Sequence, residues 1–313
     1  MSMNEYRKIY EELIVKKSEG IIFSYDPLHD QYEYQPYSHL TGTAGIKSLA
    51  KLMRNNLPFY CYGESEIVQE YARGRLDDLE KCARYAYIQR LPKRQGTSDG
   101  LLSEVLFDLL IEIFEPQATN LALRTIFRQN DNNEIKGYDL TYLSKSGDNT
   151  ISLWLGQAKM GDYRYCISSI HDDLLSKYTT SYFTKQIYFL CDKPYATSNE
   201  SKYLLGIVDD LNRSMINAPT DQRERELVKL FEGKDISIKI PCLLAYENEL
   251  LYDNPANFAI NLCNEIEKVR LFYSKKNYSS LVLKPHIMFM VFPLSSIEQI
   301  RDCLLYTSDA ADE

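Results

Sequence analysis

Two short runs decide how this chain is read: Gly137-Tyr138-Asp139-Leu140 and Leu153-Trp154-Leu155-Gly156-Gln157-Ala158-Lys159. Each lies in a strand-like stretch, Tyr138–Leu143 and Ile151–Lys159. The Ser144–Thr150 segment between them, with its Ser, Gly, Asp and Asn, favours a turn. A hairpin is expected. Residues i and i+2 of a strand share a face, so Gln157 and Lys159 project together. Asp139, at the start of the partner strand, can then meet that face at one edge of the sheet.

Immediately upstream, Leu101, Leu102, Val105, Leu106, Leu109 and Ile113 make a dense apolar helix, with Ser98-Asp99 as its cap. Glu104 lies inside it. A carboxylate on the flank of a core helix is costly unless it is partnered, hydrated or metal-bound. Before this helix comes a basic run, Arg84, Arg90, Lys93 and Arg94, leading into a loop at Gln95–Ser98. Such a run is ordinarily a solvated helix face, but its closeness to the Glu104 helix makes Arg90, Lys93 and Arg94 candidates for DNA-backbone contacts.

The flanks fill in an α/β or α+β sheet with helices on both faces. The N-terminal part reads as an amphipathic helix over 4–17 and a short strand at Ile21–Ser24. A tyrosine-rich loop or hairpin follows (Tyr25, Tyr32, Tyr34, Tyr37), then helices over Thr43–Arg54 and Glu64–Ile88. Beyond Lys159 the pattern predicts a helix at Ile167–Tyr178, a strand at Gln186–Cys191, and helices at Ser201–Asn212 and Asp221–Phe231. A strand at Ile236–Ala245, a helix at Asn257–Tyr273 and a strand at His286–Phe292 complete it. This divides the chain into a helical N-terminal region (1–95) and an α/β domain (96–302). Residues 303–313, CLLYTSDAADE, resemble the translation of a sequencing-library adaptor; they read as appended sequence that cuts short a last helix starting near Ser295.

Composition narrows the function. The 313 residues carry 36 Lys plus Arg against 44 Asp plus Glu, a net charge of −8 of which the tail's three acids supply three. This excludes coating of nucleic acid by bulk charge, though not a local basic groove. The seven cysteines contain no C-x-x-C pair and the four histidines are scattered, so a structural zinc site is not expected. The charged N-terminus has no apolar signal segment, and the longest uncharged stretch of the C-terminal third, Pro285–Ile297, is too short to span a bilayer. A soluble, cytoplasmic protein with no membrane contact is expected.

A helical acid, a strand acid and a strand amide two residues before a lysine suit metal-assisted phosphodiester hydrolysis. Mg²⁺ takes oxygen ligands and keeps several waters. A bound metal polarises the phosphate and lowers the pKa of an attacking water, which a neighbouring lysine can orient. Glu104, Asp139 and Gln157-Ala158-Lys159 together resemble the PD-(D/E)XK nuclease superfamily. The surrounding text is more specific. SDGLLSEVLFDLLI, KGYDLTYL and LWLGQAKM are similar to the HamA family of the Hachiman anti-phage defence system, over about residues 20 to 300.

The resemblance implies a PD-(D/E)XK-like mixed sheet flanked by helices, with an α-rich N-terminal region. It implies a Mg²⁺-dependent DNA endonuclease, Mn²⁺ being an alternative metal, held in check by a HamB-like helicase partner. Asp139, Gln157 and Glu104 would be metal ligands, and Lys159 would position the nucleophile. One departure stands out: the commoner residue at the position of Gln157 is glutamate. This keeps a second reading open, a catalytically inactive nuclease fold serving as an interaction or sensor subunit; a third is an RNA nuclease on the same fold. Taken singly, each residue also has an ordinary reading. Asp139 would be a turn residue, Lys159 an edge-strand lysine, and Glu104 half of a buried salt bridge with Arg124 or Arg128.

Overall fold

A computed structural model describes residues 4–91, 100–121, 137–147, 150–192, 198–253 and 255–302. Among the described residues, eight strands form one mixed sheet: β1 (Ile22–Ser24), β2 (Leu28–His29), β3 (Glu33–His39), β4 (Thr119–Asn120), β5 (Leu140–Lys145), β6 (Ile151–Gly161), β7 (Ile236–Glu247) and β8 (His286–Leu294). Their order is β1-β3-β8-β7-β6-β5-β4, with β2 paired to β3. The four central strands, β3, β8, β7 and β6, run parallel; the outer pairings are antiparallel. Strands buried on both faces need continuous apolar sequence. β7 and β8 supply it, with nine of twelve and eight of nine residues buried.

The expected α/β architecture is present, with a core on each face. On one face pack the opening helix (Glu5–Tyr10, continuing through a π turn at Glu11–Val15), the Thr43–Cys61 helix and the Gly100–Phe114 helix. The other face is covered by the helices that carry the parallel crossovers: Tyr163–Lys177, Thr180–Asp192, Asn199–Ser214, Thr220–Gly233 and Phe258–Tyr273. The N-terminal region shares the sheet through β1–β3, and its helices share a core with the rest.

Two expectations are corrected, and one open alternative, the tyrosine-rich stretch, takes its hairpin form. Gln186–Cys191 is not a strand; it lies in the Thr180–Asp192 helix. Its apolar run looks like a short buried strand, but Phe183, Ile187 and Leu190 fall at helical spacing and are all buried. The helix expected over Glu64–Ile88 is two, Glu64–Ala72 and Leu79–Arg90. Gly74 breaks it by adopting φ +69°, and Asp78 starts the second by accepting from the Lys81 N–H at 3.0 Å. The tyrosine-rich stretch is a β2–β3 hairpin whose second strand enters the sheet beside β8. The cap at Ser98-Asp99 and residues 303–313 lie outside the described residues.

Two local features set the strand that carries Gln157 and Lys159. Pro241 has no N–H to give, and the β6–β7 ladder is interrupted where Ile240 and Pro241 pass Leu155 and Gly156. The Tyr178 hydroxyl donates to the Leu155 carbonyl there, at 2.6 Å. On the opposite face, a Cβ at Gly156 would lie 2.5 Å from the Phe107 ring. Glycine thus lets the Gly100–Phe114 helix settle against β6.

Candidate active site

The β5–β6 hairpin forms as expected, with Leu140 opposite Gly156. Just before β5, the Asp139 N–H donates to the Gly156 carbonyl and Asp139 Oδ2 accepts from the Ala158 N–H, both at 2.9 Å. Backbone on both sides therefore fixes this carboxylate at the mouth of the hairpin. Glu104 comes from the Gly100–Phe114 helix, and its Oε2 accepts from the Tyr60 hydroxyl at 2.7 Å. Both carboxylates and Lys159 line one polar cleft of about 370 Å³, walled also by Ser103, Asp162 and Tyr165. Burial works against the Lys159 charge, but Asp139 and Asp173 outweigh it and hold its pKa above the ordinary lysine value.

Gln157 is placed differently. It is fully buried and does not line that cleft. Its Nε2 donates to its neighbour's carbonyl, Gly156 O, at 2.9 Å, and its Oε1 accepts from Lys177 Nζ at 2.5 Å. Gln157 and Lys159 do share a face, and both reach the Tyr163–Lys177 helix that packs there. Arg90 pairs with Glu66 at 2.9 Å and lies over the Tyr62 ring, 4.9 Å from its centre. Lys93 and Arg94, like Arg124 and Arg128, lie outside the described residues. Trp154, three residues before Gln157, is core.

Sequence reasoning missed two groups. The first is Asp173 with Lys177, one turn apart and in contact with the Gln-x-Lys pair. The second continues from Glu104 along its own helix as Asp108 and Glu112, all three buried. Asp108 accepts from Asn56 Nδ2 at 3.0 Å, and Arg7 lies 3.2 Å from Glu112. The Tyr142 hydroxyl is 2.7 Å from Asp108 Oδ1 and 2.9 Å from Glu112 Oε1. One hydroxyl has one proton to give, so both contacts are good when one carboxyl is itself protonated. Burial pushes Asp108 up to about 6, against the pull of its hydrogen bonds to Tyr142 and Asn56. Burial, reinforced by the Asp108 charge and opposed by Arg7, pushes Glu112 up to about 8. The signal for this ladder was there: acids at i, i+4 and i+8 in an otherwise apolar helix.

With this geometry in view, the family can be assigned. The HamA family model matches residues 18–305. The chain belongs to the HamA family. That is a family of anti-phage defence systems, which sets the biological context of the cleft. No curated protein and no solved structure matches the chain. Among the described residues, no helix is long and apolar enough to cross a membrane.

The donor set of the cleft suits a hard cation. Glu104 and Asp139 bring carboxylate oxygens from a helix and from the start of the hairpin to one polar space, and two carboxylates are a number with which Mg²⁺ is commonly held while it keeps water and takes up phosphate oxygens. Among the described residues, no group of three His, Cys, Asp or Glu forms a fuller cage.

Proposed function

We propose that this HamA-family chain is a Mg²⁺-dependent DNA nuclease of PD-(D/E)XK type, the effector of a defence system whose partner helicase controls it. The observation that carries the reading is the meeting of Glu104, Asp139 and Lys159 in one cleft, from a helix, the residue before β5 and strand β6. Bound Mg²⁺ would supply Lewis-acid polarisation of the scissile phosphate and a water of lowered pKa. Glu104 and Asp139 would hold it. Asp139 is oriented for this by the Ala158 N–H, and Glu104 by the Tyr60 hydroxyl. The Lys159 ammonium would orient the attacking water and offset charge building on the phosphate.

The purified complex with its helicase, given duplex DNA and ATP, should cut when Mg²⁺ is present and stop on chelation. Asp139→Asn and Glu104→Gln should each lower the rate at least tenfold and raise the Mg²⁺ concentration needed. Cutting that ignores both substitutions would sink the proposal. RNA offered in parallel should survive.

One observation favours the second reading, an inactive nuclease fold that serves as a sensor subunit. The Gln157 amide is occupied by Lys177 and turned from the cleft. DNA binding without cutting by wild type, with cutting gained in Gln157→Glu, would establish it.

A further inference from the structure

The Tyr163–Lys177 helix lies across the strand that carries the Gln-x-Lys pair, and Asp173 stands between two ammonium groups. Asp173 Oδ2 is 2.7 Å from Lys159 Nζ and 3.0 Å from Lys177 Nζ. Lys177 Nζ continues to Gln157 Oε1 at 2.5 Å. We infer that Asp173 and Lys177 are positioning residues of the nuclease site proposed above, Asp173 setting the Lys159 ammonium at the cleft wall and Lys177 anchoring the Gln157 amide.

An Asp and a Lys four apart on a helix are ordinarily a solvated pair of little consequence. This pair differs in three ways. Asp173 and Lys177 are only 17% and 23% exposed at their side chains. Asp173 spends its nearer contact on a residue of another element, the strand lysine, rather than on its helix neighbour. Lys177 reaches a side chain that is fully buried. A lysine stem has four rotatable carbons, so a fixed carboxylate is what holds its ammonium in one place. The cluster also gives a reason for glutamine at 157. Lys159 and Lys177 balance Asp139 and Asp173, and a neutral amide leaves that balance undisturbed, whereas glutamate would add a buried negative charge beside Lys177.

The test pairs a chemical readout on the chain with kinetics on the complex. Acylation by an N-hydroxysuccinimide ester, followed by mass spectrometry, reports how freely each lysine moves. In Asp173→Asn, labelling of Lys159 should rise at least fivefold relative to exposed Lys51. In the helicase complex the same variant should lose at least tenfold in kcat with the KM for DNA within twofold, and Asp173→Glu should recover part of it. Lys177→Met, which leaves the Asp173–Lys159 contact in place, should unlock position 157 and lower kcat less; it also serves if Asp173→Asn fails to fold. Unchanged Lys159 labelling in Asp173→Asn overturns the inference. So does an unchanged kcat in a complex that Lys159→Ala inactivates. If Lys159→Ala cuts as well as wild type, the nuclease reading itself has failed and the positioning role falls with it.

Discussion

Asp108 and Glu112 share the single hydroxyl of Tyr142, and the consequence is a stability that depends on pH. Both carboxyls hold a proton more tightly folded than unfolded, because burial raises them to about 6 and about 8. Their contribution is therefore complete below the unfolded carboxyl range and is lost as pH rises through about 8. Between pH 7 and 9 urea unfolding of the wild type should weaken by about 1 kcal/mol, the larger part of it below pH 8, and Glu112→Gln should remove most of that slope. Equal slopes in both would contradict a proton-sharing pair. His39 works the other way and at lower pH. Burial drops it to about 4, so its contribution is lost as pH falls from about 6.5 towards 4, outside the window of that test. Glu104, Asp139 and Lys159 were legible in sequence because each is out of keeping with its element or sits at a fixed offset from another. Asp173 and Lys177 were not. Their spacing is that of any solvated helix pair, and only the crossing of the helix over β6 gives them a role.

Most elements were legible from periodicity, since β6, β7 and β8 are apolar runs of the right length and the helices carry clear apolar stripes. The failure at Gln186–Cys191 shows the limit. A short apolar run fits a buried strand or a buried helix equally well, and the choice is made by what packs on it, here Arg223 of the Thr220–Gly233 helix over the Tyr188 ring at 5.0 Å. Strand order was not legible either, because nothing local in β3 announces that it will pair with β8, more than two hundred residues away. Two substitutions test how the site strand is seated. Gly156→Ala would push a methyl into the Phe107 ring and should cost about 1–3 kcal/mol. Tyr178→Phe leaves the Leu155 carbonyl without that donor, beside the ladder break at Pro241, and should also cost about 1–3 kcal/mol. Urea midpoints unchanged from wild type would show that the strand is not held in these ways.

At the scale of the whole molecule, the nuclease function proposed above requires an acidic chain to meet an acidic polymer. With a net charge of −8 the isolated protein has little long-range attraction for DNA, and Arg90 is paired with Glu66. Under the proposed function, delivery to DNA would then fall to the proposed helicase partner. Fluorescence anisotropy of a short duplex at about 0.15 M salt should give the isolated chain a Kd no tighter than about 1 µM, with the complex binding more tightly. Rapid degradation of DNA by the isolated chain would contradict that division of labour. The most direct test of the nuclease reading is plasmid cleavage by the intact complex, with Mg²⁺, ATP and the helicase present, comparing wild type with Lys159→Ala. Cutting by wild type that Lys159→Ala abolishes is the predicted result. Equal cutting by both would move the chemistry away from the Glu104–Asp139–Lys159 cleft.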